Sequence, residues 1–522
     1  MMTLLLLLAL AADFNPGAIR AHVKFLSDDL LEGRGPGTRG DALATNYVAS
    51  QFEAAGLEPA GDNGTFFQKV PLLGITTDEP KTELAFGKRP ALKYRDEFAG
   101  GDQTQRERST IDSEVVFVGH GVVAPEYRWD DYKGLDTRGK TLVMLVDDPP
   151  ASASEPELFK GRARTYYGRW TYKFEIGTAK NAEAVILIHT NDAAGYGWQV
   201  VRNSWSGEQA YVKKAPDAHA LSFAGWITEK VAQELFASSG QDLASLTKAA
   251  ASRDFKPVPL GIRLKGRVGS TLRAFETANV VAKLEGSDAK LKDEAVLYSA
   301  HHDHIGIGAA DPADPTDTIY NGALDNASGV ATLLELARAW SKVSPAPKRS
   351  ILFAAVAAEE QGLLGSHYLA QHPPVPAKNI AVGLNVDEVY FFGNVKSVTL
   401  LGVERTSFYP TAQSVTKEMG LTILPDQAPE QGSYYRSDHF SFGKVGIPAF
   451  TIKQVPDDAQ RPQLKDFKDK RYHQAGDEFD PKWDFASAKQ VAELAFRLGW
   501  EAANASSLPQ WLPGDEFAGK RF

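Results

Sequence analysis

Imidazole and carboxylate side chains recur after apolar segments in the second half of the chain. They are His301, Asp325, Glu359, Glu360, Asp387 and His473. Carboxylates that cluster repel one another, so they must raise their pKa values or find cations. The chain contains no cysteine, so a metal site must be built from His, Asp and Glu. Mixed imidazole and carboxylate ligation suits zinc, with manganese and cobalt as alternatives, and predicts a metal-dependent centre.

The elements that must position these side chains have the pattern of a parallel sheet. Residues 295–300 (AVLYSA), 350–357 (SILFAAVA) and 380–386 (IAVGLNV) are short, nearly continuous apolar runs, typical of strands covered on both faces. Residues 329–343 and 484–503 have apolar residues at helical spacing. We therefore predict an α/β fold with a mixed, mostly parallel sheet flanked by helices. Functional groups gather at the carboxyl ends of strands in such sheets.

Residues 111–264 have a different sequence pattern, with short β-rich runs separated by Gly, Pro and Asp clusters. This pattern predicts a compact β-rich module inserted in the main domain. The polar stretch at 100–114, GGDQTQRERSTIDSE, is typical of a linker. The module's histidines, His120, His189 and His219, are isolated in the sequence, and we expect structural or surface roles for them.

The first twelve residues, MMTLLLLLALAA, are typical of a signal peptide. The apolar run is too short to span a bilayer, which needs about 20 residues, and Ala9-Leu10-Ala11 suits signal peptidase. A buried N-terminal helix is the alternative, because no positive charge precedes the run. The domain prediction is 1–12 signal peptide, 13–110 first part of the catalytic domain, 111–264 inserted module and 265–522 remainder of the catalytic domain. The predicted location is periplasmic or secreted.

Bulk composition narrows the function classes. A chain of 522 residues exceeds one ordinary core, and 43% hydrophobic with 24% charged residues is typical of a folded globular protein. A net charge of -9 without a Lys/Arg stripe argues against nucleic-acid binding. No segment after the first is apolar enough to cross a membrane.

The order of the motifs resembles the co-catalytic zinc exopeptidases of the aminopeptidase Y and glutamate carboxypeptidase type. The matching stretches are SAHHDHIG, NGALDNASGVA, AAEEQGLLGS, LNVDEV, SDHFSFGKVGIPAF and YHQAGDEFD, with LSDDLLEGRGPGTRG and TANVVAKLEGS upstream. The resemblance covers nearly all of the catalytic part. It also implies that 111–264 is similar to the protease-associated (PA) domain that is often inserted in these enzymes.

The resemblance implies two zinc ions and a role for each motif. The implied ligands are His301 and Asp387 for one ion, Glu360 and His473 for the other, and Asp325 as the bridge. Asp303 would lie behind His301 and fix its ring orientation. Glu359 would be the general base that takes a proton from water and passes it to the leaving amine. Tyr472 matches a tyrosine that stabilises the oxyanion in several relatives.

Several residues remain open at this point. In HHDH, His301 is favoured because His-x-Asp is the spacing of the family, with His302 as the alternative ligand and His304 as a packing or supporting residue. The stretch Ser437-Asp438-His439 fits either the substrate pocket or a structural hydrogen-bonding role. His367 and His372 are expected at the surface or in packing.

The predicted substrate is a peptide, and the terminus that is recognised depends on charge. Recognition of an amino terminus needs acidic groups, for which Glu388 and Glu359 are candidates; recognition of a carboxylate needs Arg or Lys, for which Arg436 is a candidate. Because no cluster of arginines accompanies the ligand motifs, we predict an aminopeptidase. The alternatives are a carboxypeptidase of the glutamate carboxypeptidase type, a single-zinc glutaminyl cyclase, and a binding protein without catalysis.

Overall fold

A computed structural model describes residues 12–311 and 314–521. The chain divides into two compact units. Unit 1 comprises the chain up to Pro71, Glu276–Gln427 and the chain from Arg436 onward; unit 2 comprises Leu72–Phe275 and Ala428–Tyr435. Residues 1–11, most of the predicted signal peptide, lie outside the described residues. Within the described ranges, no helix combines the length and apolar character that crossing a bilayer requires.

The elements are numbered in chain order. The helices are α1 Pro16–Leu26, α2 Arg39–Ala54, α3 Trp170–Ala179, α4 Asn191–Ala194, α5 Trp198–Ser204, α6 Glu229–Ser238, α7 Leu243–Ala250, α8 Ser328–Lys342, α9 Leu364–Gln371, α10 Tyr409–Glu418, α11 His439–Lys444, α12 Arg461–Lys470 and α13 Ala486–Asn504. The strands are β1 Glu58–Pro59, β2 Phe67–Thr77, β3 Glu83–Phe86, β4 Phe98–Gly101, β5 Arg108–Phe117, β6 Val123–Ala124, β7 Trp129–Asp130, β8 Thr141–Leu145, β9 Ala184–His189, β10 Gln209–Val212, β11 Phe223–Thr228, β12 Val258–Leu284, β13 Ala295–His301, β14 Gly306–Ile307, β15 Ile319–Tyr320, β16 Ser350–Val356, β17 Ile380–Val386, β18 Ser397–Leu401, β19 Thr422–Ile423 and β20 Ala449–Val455.

Unit 1 contains a mixed, mostly parallel sheet with the strand order β19-β18-β20-β17-β13-β16-β12. Strand β13 runs parallel to β16 and β17, and β17 runs parallel to β20. Antiparallel pairs join β12 to β16 and β18 to β20. The apolar segments predicted as strands are β13, β16 and β17, and every residue in them is buried. The fold prediction is confirmed.

Helices cover both faces of this sheet. On one face α1, α2, α8 and α13 share a hydrophobic core with the strands, in which Tyr298 stacks on Phe353. The Tyr298 hydroxyl donates to the Ala495 carbonyl of α13 at 2.9 Å, so the tyrosine's polar atom is satisfied inside the core. On the other face, α9 and α11 bury Leu369 and Phe442 against the strands. Because both faces are covered, the polar side chains gather at the strand ends.

Unit 2 contains its own sheet, in the order β12-β5-β8-β9-β11-β4, with β3 also paired to β12. Strands β5, β8, β9 and β11 are parallel neighbours, and α3 to α7 belong to this unit, so it is α/β and not simply β-rich. The sequence of α3, WTYKFEIGTA, does not predict a helix, because its aromatic and β-branched residues are typical of strands.

The limits of unit 2 are wider than the predicted module at 111–264. The unit begins at Leu72 because β3 and β4 pair with strands of this unit, β12 and β11. The stretch predicted as a linker contains the start of β5, in which alternate residues are buried. The similarity of unit 2 to a PA domain stays a prediction.

Candidate metal centre

Six ionisable side chains approach one another at the edge where β13, β16 and β17 end. His301 ends β13, Glu359 and Glu360 follow β16, Asp387 follows β17, Asp325 precedes α8, and His473 follows α12. The three strands are parallel neighbours, so their carboxyl ends meet at the same edge. Four of these side chains therefore reach one place through strand order alone, whereas Asp325 and His473 arrive on separate loops.

Asp325 lies between two imidazoles. Its Oδ1 is 3.2 Å from His301 Nε2, and its Oδ2 is 3.1 Å from His473 Nε2. Each imidazole also faces a second carboxylate: His301 Nε2 is 3.4 Å from Asp387 Oδ1, and His473 Nε2 is 3.3 Å from Glu360 Oε2. The arrangement is two groups of three donors that share one aspartate.

The donor set and the charge of this centre fit metal ions. Burial disfavours a proton on His301, but the carboxylates of Glu359, Asp325 and Asp387 raise its pKa well above 6.5, so the centre strongly favours positive charge. Glu360 Oε1 is buried without a hydrogen-bond partner among the described residues. Imidazole and carboxylate groups are the donors of zinc sites, and these residues fit zinc.

His304 is an additional donor that the sequence assigned only to packing or support. Its Nδ1 is 2.7 Å from Glu360 Oε1 without the angles of a hydrogen bond, and both of its ring nitrogens are otherwise buried without partners in the described chain. His304, Asp325 and Glu360 offer three atoms close enough to hold one ion. The His304 and His473 rings lie 5.9 Å apart, so both approach the same carboxylate.

Mutation can distinguish the roles of His473 and His304. We expect His473→Ala to bind about one zinc per chain, because the Nε2 that faces both Asp325 and Glu360 is removed. His304→Ala should keep two ions with weaker affinity, roughly 10- to 100-fold, as for supporting residues around metals. Elemental analysis after desalting measures this, with His367→Ala, in α9, as the control. If His304→Ala lost one ion and His473→Ala kept both, His304 would be the ligand.

Asp303 supports the centre mainly through the backbone. Its carboxylate accepts the N–H groups of Glu359 at 3.1 Å and Glu360 at 3.3 Å. The same carboxylate is 3.8 Å from His301 Nδ1, beyond hydrogen-bond range, whereas its own carbonyl oxygen is 3.2 Å away. The ring orientation of His301 is thus fixed by the Asp303 carbonyl, and the Asp303 side chain fixes the two glutamates.

Two positioning residues were missed by the sequence reasoning, although both lie in stretches that carried the resemblance. Asp477, in YHQAGDEFD, accepts the N–H groups of Leu324 and Asp325, each at 3.0 Å. Arg34, in LSDDLLEGRGPGTRG, is 1% exposed and donates to the carbonyls of His302 at 2.8 Å and Gly322 at 3.0 Å. Arg34 therefore joins the loop after β13 to the segment that precedes Asp325.

The other histidines make contacts outside the group of six side chains. His302 lies away from the six side chains, with Nε2 3.0 Å from the Ala278 carbonyl and Nδ1 3.6 Å from Asp41. In unit 2, His120, His189 and His219 each contact a backbone carbonyl, of Asp147, Tyr196 and Ala182 respectively. His367 contacts Gln371, and His372 contacts the Tyr368 carbonyl; both contacts are within α9 and its end.

The stretch Ser437-Asp438-His439 lies behind the centre. The Ser437 hydroxyl donates to Asp387 Oδ2 at 2.5 Å and accepts from Asn385 Nδ2 at 2.8 Å. Asp438 is fully buried, which raises its pKa to about 7, and burial lowers the pKa of His439 to about 3. Ser437 thus has the hydrogen-bonding role that the sequence left open, because it orients the carboxylate that faces His301.

Tyr472 and Glu388 lie on the more open side of the centre. The Tyr472 ring stacks on His473 with centroids 4.0 Å apart, and burial raises its pKa far above 10. Both oxygens of Glu388 are engaged, by Lys468 and by Tyr390. Glu388 thus already pairs with an ammonium group, that of Lys468.

Residues 279–498 match the sequence model of peptidase family M28. The part of the chain that holds the six side chains is thus similar to peptidase family M28. Proteins described as "Probable zinc metalloprotease" are similar to this chain: one from Pyrenophora teres f. teres is 41% identical over 118 residues, 23% of both chains, and one from Phaeosphaeria nodorum is 32% identical over 183 residues, 33% of this chain and 32% of that one. The chain thus spans about a quarter to a third of these relatives' length.

A solved structure extends the likeness to the fold. The aminopeptidase from Aneurinibacillus sp. strain AM-1 covers 95% of this chain and 95% of its own, with a TM-score of 0.50 and 19% sequence identity. The family model and the relatives described as zinc metalloproteases are similar to this chain in the region of the centre, and they are of the predicted enzyme class.

Proposed function

We propose that this protein is an aminopeptidase that uses two zinc ions and Glu359 as its general base. The observation that carries the proposal is Asp325, whose two oxygens face different imidazoles at 3.2 and 3.1 Å. His301 and Asp387 would complete one ion's ligands, and Glu360 and His473 the other's. Manganese and cobalt have similar ligand preferences and are expected to substitute.

The adjacent residues Glu359 and Glu360 have different roles. Glu360 Oε2 faces His473 at 3.3 Å, so Glu360 is the metal ligand of the pair. Glu359, whose pKa burial raises well above 4.5, accepts a proton from the attacking water and returns it to the leaving amine. The Asp303 carboxylate holds both backbone N–H groups and so keeps this division fixed. When bound, zinc supplies Lewis-acid charge and lowers the pKa of water from about 15.7 to about 7.

The choice of the amino terminus draws on two observations. The protein from Aneurinibacillus, similar over 95% of both chains, is an aminopeptidase. Arg436, the arginine that the sequence offered for a terminal carboxylate, is exposed, and Arg34, which is buried beside the centre, donates to backbone carbonyls. A carboxypeptidase remains the alternative that substrates must exclude.

The decisive experiment is a substrate panel on the purified chain with and without a chelator. We expect hydrolysis of aminoacyl-p-nitroanilides, loss of that activity with 1,10-phenanthroline, recovery on adding zinc, and no cleavage once the amino group is acetylated. Elemental analysis should give about two zinc ions per chain. One zinc with pyroglutamate formation would favour a glutaminyl cyclase, and no metal with no turnover would favour a binding protein.

A further inference from the structure

Two lysines share one carboxylate beside the metal centre. Glu388, which follows Asp387 in the chain, is 8% exposed. Lys468 Nζ lies 2.5 Å from its Oε1, and Lys453 Nζ lies 3.5 Å from its Oε2. The Tyr390 hydroxyl donates to Oε2 at 2.9 Å. Both oxygens of Glu388 are therefore occupied, and the two ammonium groups with one carboxylate leave a net charge of +1.

This lysine cluster (Glu388, Lys453 and Lys468) flanks the open side of the centre. Lys468 Nζ is 4.0 Å from the centroid of the Tyr472 ring, which stacks on His473. The His473 side chain is 38% exposed, whereas the other four candidate ligands are 1–10% exposed. Lys468, which is 39% exposed, is therefore an accessible cation beside the most exposed of the candidate ligands.

Lys468 differs from the other lysines of α12. Lys465 pairs with Asp469, and Lys470 pairs with Asp466 at 2.6 Å, so their charges are balanced within the helix. Lys468 is exposed and has three donors, of which Glu388 takes one. Its ammonium group therefore keeps donors for a substrate.

Lys453 adds a second positive charge to the cluster. Burial disfavours its ammonium form, but Glu388, Asp387 and Asp325 raise its pKa above 10.5. Arg436 is exposed, and its positive charge reaches the Tyr472 hydroxyl. A cationic substrate group would meet these positive charges, whereas a carboxylate would be attracted.

We propose that Lys468, held in place by Glu388 and backed by Lys453, binds a carboxylate of the substrate next to the bond that is cleaved. The inference rests on the proposed peptidase function and adds its substrate class: peptides with a negative group at this position. That carboxylate has two sources, the side chain of an acidic N-terminal residue or a free C-terminus.

Isosteric substrates separate charge from shape. We expect the zinc-loaded protein to hydrolyse glutamyl- and aspartyl-p-nitroanilide with kcat/KM roughly 10- to 100-fold above glutaminyl- and asparaginyl-p-nitroanilide, the range for a hydrogen bond to a charged group. A second arm compares dipeptides with a free amino group, such as Ala-Ala, with their C-terminal amides. Discrimination in the first arm identifies the side chain as the source, and discrimination in the second identifies the C-terminus.

Lys468→Met tests the residue itself. The variant should lose the preference for the acid over its amide isostere, and lysyl-p-nitroanilide should improve because Glu388 is released. Lys465→Met, three residues earlier on α12 and paired with Asp469, should behave like wild type. If Lys468→Met keeps the preference for the carboxylate, or if wild type shows no preference in either arm while alanyl-p-nitroanilide is cleaved, the inference is wrong and the aminopeptidase proposal stands.

Equilibrium binding keeps the test independent of turnover. Calorimetry on the zinc-loaded protein should show L-glutamate binding at least 10-fold more tightly than L-glutamine, and Lys468→Met should abolish the difference, as expected for loss of a charged hydrogen bond. Equal affinities of glutamate and glutamine would exclude the side chain as the source, and equal affinities of Ala-Ala and its amide would exclude the C-terminus. Both results together would overturn the inference even if no peptide substrate were cleaved. Absence of all turnover, with the glutamate preference intact, would count against the peptidase proposal alone.

Discussion

Replacing Glu359 by glutamine should remove most turnover and leave the metal content unchanged. The amide keeps the size of the side chain but does not accept a proton from water, and loss of a general base costs roughly 10²- to 10⁴-fold in rate. The Glu359 N–H still reaches Asp303, so the loop after β16 keeps its position. The measurement is kcat on an aminoacyl-p-nitroanilide, together with zinc per chain after desalting.

The neighbouring glutamate is the matched control for this experiment. Glu360→Gln should lose zinc, because Glu360 Oε2 lies 3.3 Å from His473 Nε2 and Oε1 lies 2.7 Å from His304 Nδ1. The pair of variants differs by one position on the same loop, so a general loss of folding would affect both alike. If Glu359→Gln lost zinc while Glu360→Gln retained it, the assignment of ligand and base would have to be exchanged.

Strand order explains why much of this centre was predictable. The apolar runs that became β13, β16 and β17 are too continuous to face water on either side, which predicts parallel strands covered by helices. Once these strands are neighbours, His301, Glu360 and Asp387 must approach one another at their carboxyl ends. Periodicity and burial were sufficient for this step.

The approach of Asp325 and His473 does not follow from strand order. Both residues lie on loops whose paths depend on long-range contacts, and only the resemblance of NGALDNASGVA and YHQAGDEFD indicated their place. The structure shows one such contact: the Asp477 carboxylate accepts the N–H groups of Leu324 and Asp325, and so joins the two loops. A hydrogen bond between a side chain and a backbone group so far along the chain leaves no local pattern in the sequence.

The motif LSDDLLEGRGPGTRG illustrates the same limit. Gly33 has φ +67°, and an added Cβ would lie 2.5 Å from the Tyr320 carbonyl oxygen and 2.6 Å from that of Gly306. Only glycine allows this approach, which brings Arg34 between the loop after β13 and the segment before Asp325. A Gly-Arg pair in a turn is common, and its function becomes evident only from these contacts.

The limits of unit 2 differ from those of the predicted module for a related reason. Charged and polar exposed residues masked the alternation in the first part of β5, so residues 108–114 were included in the predicted linker. The strand is recognisable from its alternately buried residues, such as Ile111, once its pairing with β12 is known. Pairing over a long sequence separation, which single-sequence periodicity does not reveal, decides where such a unit begins.

Asp325→Asn should empty both metal positions, whereas Asp387→Asn should empty only one. The reason is geometric: Asp325 offers Oδ1 to the side of His301 and Oδ2 to the side of His473, at 3.2 and 3.1 Å, while Asp387 faces His301 alone, at 3.4 Å. An amide keeps one acceptor oxygen but replaces the other with a donor and removes the charge, so the two sides can no longer be held by one residue.

Zinc content by elemental analysis, from about two ions in wild type to about one in Asp387→Asn and near none in Asp325→Asn, is the first measurement. Thermal unfolding with added zinc is the second, because a ligand at 100 times its Kd stabilises the native state by about 2.7 kcal/mol. The zinc-induced rise in Tm should shrink in Asp387→Asn and disappear in Asp325→Asn. Two tightly bound ions in Asp325→Asn would show that His301 and His473 bind metals without a shared carboxylate, and the two-zinc mechanism would then lose its bridge.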